Sequence, residues 1–237
     1  MLKPLQPARR DLPAVALDLA ARLGAQTARG GSRVSLTQRG RMKRALGKDQ
    51  WMSFTACQSI DTDACDFAWR ARLAPLGLVS VCDSLQAGVG GLEVTALGFI
   101  PLVKTPSTAA LVRGELMRYL AELAWAPDAI LDNPALRWRQ GSSDEIVVGA
   151  GEGASAVEVS FGLDNDGRIA AASARDRPRS AVEPILLTPW RGRFTDYRLH
   201  EGRWIPFAGE VAWEIDGTEE TYWQGRIERW ATGSKET

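Results

Sequence analysis

Glu115, Arg118, Glu122 and Trp125 follow one another at spacings of three, four and three, which sets two carboxylates, a guanidinium and an indole on one face of a helix. Turned to water, this is a solvated face on which Arg118 and Glu122 form an i, i+4 pair worth ~0.2–0.5 kcal/mol, and that is the first expectation. Turned inward, the same four residues line a cavity, and Glu122 becomes a candidate general acid or base with Arg118 or Arg72 holding an anion. Glu115 and Glu122 lie about 10–11 Å apart along the axis, wide for a carboxylate pair that cleaves a glycosidic bond. Asp61 and Asp63 read as loop residues.

Other chemistries lack their parts. The single histidine, His200, sits beside the turn pair Glu201-Gly202, so no Ser–His or Cys–His nucleophile is indicated. Cysteine and histidine are not clustered as zinc ligation requires, and the glycines of Gly88 to Gly91 lead into a strand rather than a phosphate-cradling helix start. No cofactor and no metal are therefore expected.

The element that must carry the four residues is a helix from Thr108 to Ala126, residues 108–126. Ser107 and Thr108 offer hydroxyls to its first turn, and Pro127 stops it. Val112, Leu116, Tyr119, Leu120 and Leu123 form its apolar stripe, which on full burial would contribute on the order of 10 kcal/mol before chain entropy is subtracted. A shorter helix is expected over Leu12–Leu23, with Asp11 as cap and Gly24 as terminator.

Around the long helix the hydrophobic period changes from helical to alternating. Val34 to Lys43, Trp51 to Ile60, Asp66 to Leu73, Leu78 to Gln86 and Leu92 to Val103 read as five strands before it. In the third, Phe67, Trp69, Ala71 and Leu73 share one side and Arg70 and Arg72 the other. The basic side of the first, from Arg33 to Arg44, reads as a solvated strand face.

After the helix come Leu136–Gln140, Glu145–Ala150, Ala156–Leu163 and Gly167–Ala174, with Asn165-Asp166-Gly167 as a hairpin turn. The proline-rich stretch from Arg175 to Pro189 reads as an excursion at the rim. A final meander of Phe194–Leu199, Arg203–Ile215 and Thr221–Trp230 turns at Glu201-Gly202 and Asp216-Gly217, and Pro206 marks a bulge or an edge. Connections this short require antiparallel pairing.

The expected fold is α+β and mainly β: a strongly curved antiparallel half-barrel of about 10 to 12 strands in meander order, with a central helix over its concave face and a short N-terminal helix. Its expected division is an arm and helix over 1–31, one domain over 32–231 with the helix 108–126 inserted, and a disordered tail over 232–237.

Composition narrows the partners. Lys plus Arg equals Asp plus Glu at 29 each, so there is no global field to draw nucleic acid. No run approaches the ~20 apolar residues of a membrane span, and Asp18 and Arg22 interrupt the only leader-like stretch, so a cytoplasmic location is expected. Cys57, Cys65 and Cys82 read as reduced thiols. The nine tryptophans read first as core, with an apolar ligand pocket under the helix as the alternative.

The segment ELMRYLAELAWAPDAIL, with Trp138 in the strand after it and FAWRARL and LGFIPLVK before it, resembles a bacterial domain family of unknown function over roughly residues 33–231. The matching elements are Trp69 and Arg72, the helix residues Glu122, Trp125 and Pro127, and the late strands bearing Pro206 and Trp223. Such domains look like the lipoprotein-localisation-factor (LolA-like) half-barrel. The resemblance implies a curved sheet covered by helices, and lipids or lipidated proteins as the cargo of exported members.

The function expected from these readings is binding of an apolar or amphipathic, lipid-like small molecule between sheet and helix. Trp69, Tyr119, Trp213 and Trp223 would supply its walls, with Trp125 beside them, and Arg72, Arg118 and Glu122 would hold its polar end. The alternatives are an enzyme using Glu122 and a protein-interaction module built on exposed strand edges near Pro206.

Overall fold

Alternating sequence on both sides of one long helix folds into a single sheet of thirteen antiparallel strands, curled as a half-barrel, in a computed structural model that describes residues 12–27, 31–142, 145–180 and 183–234. The first meander comprises β1 (Ser32–Lys43), β2 (Trp51–Asp61), β3 (Phe67–Leu73), β4 (Val79–Gln86), β5 (Val89–Ala96) and β6 (Ile100–Thr105). The second comprises β7 (Arg137–Gln140), β8 (Glu145–Ala150), β9 (Val157–Leu163), β10 (Ile169–Pro178), β11 (Leu187–His200), β12 (Arg203–Ile215) and β13 (Thr218–Ser234). Within each meander every strand pairs with its sequence neighbours, and β1 pairs with β13 to join the two, leaving β6 and β7 as the edges.

That order dictates where the helix lies. The chain leaves the sheet at β6 on one edge and re-enters at β7 on the other, so residues 106–136 must cross the sheet, and they do so over its concave face. The crossing is led by α2 (Ala109–Ala121), preceded in the chain by α1 (Ala14–Leu23) and followed by α3 (Ala129–Asp132). The Thr108 hydroxyl caps α2, accepting from the Leu111 N–H at 3.1 Å. Instead of continuing as α-helix to Ala126, the backbone tightens into a 3-10 turn at Glu122–Ala124. α1 ends where expected, at Gly24 with φ of 68°, but it begins after Pro13, and the expected Asp11 cap and the arm over 1–10 lie outside the described residues.

Burial of the apolar stripe anchors α2. Leu120 and Leu123 are fully buried and Leu116 nearly so, in one cluster with Val148 of β8 and Val159 and Phe161 of β9. Val112 is only half-buried, at the edge of that cluster.

Several expectations are corrected. The thirteenth strand arises because Leu92–Val103 is a hairpin, turning at Leu97-Gly98 with φ of 54° and 80°. β13 runs on to Ser234, since β1 starts at Ser32 and pairs with it, so residues 232–234 belong to the sheet and not to a disordered tail; residues 235–237 lie outside the described residues. The excursion between Arg175 and Pro189 shrinks to 179–186, because β10 continues through Pro178 and β11 starts at Leu187. Pro206 lies on an internal strand, paired with Tyr197 of β11, but the ladder from β12 to β13 is registered only from Ala208 onward, so on that side the proline stands at a local edge.

The tight turns behave as read. Glu201, Gly202, Asp216 and Gly217 all have positive φ, as two-residue hairpin loops require. On the basic face of β1, Arg33 pairs with Asp61, Arg39 with Glu228 and Lys43 with Glu220, while Arg41 donates to Gln224. The three cysteines are free thiols, and burial pushes the Cys65 thiol up to about 11. No helix among the described residues is long and apolar enough to cross a membrane.

Candidate functional site

Three glycines in register, Gly40 of β1, Gly225 of β13 and Gly209 of β12, form a trough across the seam of the two meanders, with Phe54 and Phe194 paired at its ends. Two indoles lie in it. A Cβ on Gly225 would stand 2.3 Å from the Trp223 ring, and one on Gly209 would stand 3.2 Å from the Trp125 ring. Trp223 stacks on Phe54 at 5.7 Å, Trp125 meets Phe194 edge-on at 5.4 Å, and the two indoles are 6.4 Å apart. The Trp125 indole N–H donates to the Pro206 carbonyl at 2.9 Å, which fixes the ring at the end of the helical crossing.

Beside the aromatic trough runs a chain of buried polar groups. Trp69 donates its indole N–H to Gln38 Oε1 at 2.8 Å, and Gln38 Nε2 donates to Gln58 Oε1 at 3.3 Å. Gln58 Nε2 donates to Glu122 Oε2, Arg118 Nε donates to Glu122 Oε1 at 2.8 Å, and Arg118 also pairs with Asp83. Gln38, Gln58 and Glu122 are buried, so each of these bonds replaces water that the groups have lost. The polar stripe of α2 is thereby tied to β1, β2, β3 and β4.

Charge within this chain is settled by its surroundings. Burial works against the Arg118 cation, but Glu122, Asp83 and Glu115 outweigh it and hold the guanidinium above its ordinary pKa. Burial first, and then the neighbouring Asp83, push the Glu115 carboxyl well above its ordinary 4.5, with Arg118 and Arg177 pulling the other way. The neutral form of Glu115 is therefore favoured over a wider range of pH than that of an exposed carboxyl. One of its oxygens, Oε2, has no hydrogen-bond partner among the described residues, and the same holds for Asp83 Oδ1.

Between the polar chain and the aromatic trough lies a cavity of about 190 Å³. Met42, Trp69, Val81, Leu92, Trp125, Phe194, Val211 and Trp223 provide apolar wall, and Asp83, Arg118, Glu122, Arg177 and Tyr222 provide polar groups. Such a site can hold an apolar body against rings and a polar end against fixed donors. Glu122 accepts from both Gln58 and Arg118, which makes it the post to which the helix is tied. No group of three or more metal-ligating side chains occurs among the described residues.

The sequence of residues 10–231 matches a family described as a family of unknown function, DUF6920. The chain belongs to this family. No curated protein matches the sequence. Among solved structures, this DUF6920 chain is similar to a DUF1329 family protein from Desulfovibrio piger, at 10% identity and a TM-score of 0.51 over 94% of this chain and 93% of that one. It is also similar to a LolA superfamily protein from Nitrosomonas europaea, at 10% identity and a TM-score of 0.47 over 92% of this chain and 93% of that one.

Five of the residues singled out in the DUF6920 sequence stand together at the cavity: Trp69, Arg118, Glu122, Trp125 and Trp223. The expected solvated face is corrected, since Glu115, Glu122 and Trp125 are all buried. Three others stand elsewhere. Arg72 is exposed on the outer side of β3, as its alternation with Trp69 requires. Tyr119 is sealed in the core, where its hydroxyl donates to the Asp61 carbonyl and accepts from the Asn133 amide, both at 2.9 Å, and burial raises its pKa well above 10.0. Trp213 lies outside the lining, stacked on Tyr222 at 5.8 Å.

Gln38, Gln58, Asp83 and Arg177 were not read as site residues. The first three carried a signal, because each interrupts a row of alternating core positions: Val34, Leu36, Gln38; Phe54, Ala56, Gln58; Val81, Asp83, Leu85. A polar side chain in a core phase needs a partner, and here the partners are one another and the helix.

Proposed function

We propose that the protein binds an apolar or amphipathic small molecule in the cavity between α2 and the sheet, without transforming it. The observation that carries this reading is the cavity itself: space of about 190 Å³ is left between indole rings and a hydrogen-bonded polar chain beneath the helix. Filling that space with side chains would have removed more apolar surface from water, so its retention suits an occupant. Trp69, Trp125 and Trp223 give the occupant flat apolar contact. Arg118 and Glu122 arrive already paired, so they add orientation without a fresh desolvation cost.

Volume sets the scale of the ligand. A cavity of about 150 Å³ takes benzene, so this one takes a single ring system or a short chain, and a longer tail would leave through the cavity mouth. The reading is tested by titrating the intrinsic tryptophan emission with 1-octanol or indole and by native mass spectrometry of the mixtures. Saturable one-to-one binding is expected, weakened at least about tenfold when Val211→Phe fills the lining by steric exclusion. Emission that changes only in proportion to additive, in wild type and variant alike, would end the proposal.

A further inference from the structure

The strand β10 breaks its own alternation at the cavity. Ala174 pairs with Trp190 and Arg177 with Thr188, so three steps along β10 match two along β11. One residue is bulged, opposite a stretch of β11 that contains Pro189, which has no N–H to give. Strict alternation from the buried Ala174 would turn Asp176 inward and Arg177 outward. The bulge reverses this: Asp176 is exposed and pairs with Arg113, while Arg177 is only 8% exposed and lines the cavity.

Arg177 arrives there without an acceptor. Its guanidinium lies 4.6 Å from the Trp190 ring and 5.7 Å from the Trp213 ring, which hold the plane by cation–π contact. Among the described residues no oxygen accepts a hydrogen bond from it and no carboxylate forms an ion pair with it. The acids around it are engaged elsewhere: Glu122 with Gln58 and Arg118, Asp83 through Oδ2 with Arg118, and Glu210 with Arg193 and Gln224 at 3.2 Å each. Glu115 is close enough to feel its charge, yet burial and Asp83 favour the neutral form. The triad of Asp83, Arg118 and Glu122 carries one carboxylate in excess, which offsets the charge of Arg177, while Glu210 on the same lining is offset by Arg193. What is missing is an acceptor for a planar fork of donors.

We propose that Arg177 is the recognition group for the anionic head of the ligand, a carboxylate on a compact apolar body, held between the Trp190-Trp213 side of the cavity and the rings of Trp69, Trp125 and Trp223. This rests on the cavity being a ligand site and adds the chemical class of what enters it. A carboxylate meets the guanidinium through two parallel N–H···O bonds, which a hydroxyl or amine of the same size cannot form. A guanidinium held against rings with little access to water gains most from such a partner.

The test compares octanoate, 1-octanol and octylamine on the full chain by calorimetry and tryptophan emission. Octanoate is expected to bind about ten- to a hundredfold more tightly than the alcohol, as a charge-assisted pair gives, with the amine weakest. Arg177→Met should bring octanoate to the level of the alcohol in the same variant and melt no lower than wild type, because it removes a buried cation without orphaning an acceptor. Equal binding of octanoate and octanol to wild type overturns this inference while leaving the cavity reading in place. Failure of all three to bind overturns both. A preference for octanoate that survives in Arg177→Met, or a variant that melts lower with its preference intact, assigns Arg177 a structural part and overturns the inference as well. Carboxyl-labelled octanoate on the wild-type protein gives a check that needs no variant: its bound carboxyl should titrate below its free value by NMR, and an unshifted titration overturns the assignment.

Discussion

The two faces of α2 are held by different physics. Toward β8 and β9 its leucines meet Val148, Val159 and Phe161 in a dry cluster with every partner buried, so affinity for the sheet comes from area and close packing. Toward β2, β3 and β4 the same helix presents Arg118 and Glu122, and contact is made through side-chain hydrogen bonds around an open space. The dry face tolerates no guest. The bonded face keeps its geometry with a void beside it, because directional bonds fix distances that packing alone would close up. One helix can therefore be anchored on one face by packing and, on the other, roof a pocket to which both meanders contribute.

The comparison is broken most severely by Glu122→Ala, which leaves Arg118 buried with half its partners and Gln58 without its acceptor. A loss of about 3–5 kcal/mol in urea unfolding is expected, together with loss of ligand binding. Leu120→Ala on the dry face is expected to cost about 2–5 kcal/mol by cavity formation while leaving the octanol affinity of the folded protein unchanged. If the leucine variant lost binding in proportion to its stability, the two faces would not be separable. Glu115→Gln should have the smallest effect and the opposite sign. With its folded pKa raised, Glu115 keeps a proton that the unfolded chain releases once pH passes the ordinary 4.5, so the wild type loses stability as pH rises from there toward the folded pKa. The glutamine variant should equal wild type at low pH and exceed it above that window in thermal melts.

The sequence carried the helix and the strands well because both depend on local period. Thr108 caps the long helix in space as its sequence signal states, and the paired turns at Gly202 and Gly217 mark hairpins by their chemistry. What period cannot state is which neighbour a face meets. The stripe of Glu115, Arg118, Glu122 and Trp125 has the pattern of a solvated surface, and only the sheet's curl, bringing β4 and β13 over the same helix, buries it. Leu97 hid the β5–β6 turn because a leucine at positive φ is not a turn signal. Arg177 was lost inside a proline-rich stretch whose bulge shifts the phase of β10, so counting by twos assigns it to the wrong side. The glycine trough was invisible for a simpler reason: Gly40 joins Gly209 and Gly225 only when β1 is set in register against a hairpin from the far end of the chain.

The ladder between β1 and β13 joins the two ends of the sheet-forming chain, Ser32 against Ser234, and this bears on the order of assembly. Hairpins within a meander close short loops, whereas this ladder closes nearly the whole chain, and contacts so far apart in sequence form slowly. Each meander can curl early, but the aromatic trough has residues from both, with Gly40 and Phe54 in one and Trp223 and Gly209 in the other. The pocket is therefore expected to be the last part of the molecule to form. In stopped-flow refolding, ligand-responsive tryptophan emission should lag the far-ultraviolet strand signal, and simultaneous recovery would place the rate-limiting step elsewhere. A nascent or damaged chain would then have strands before it has a formed pocket.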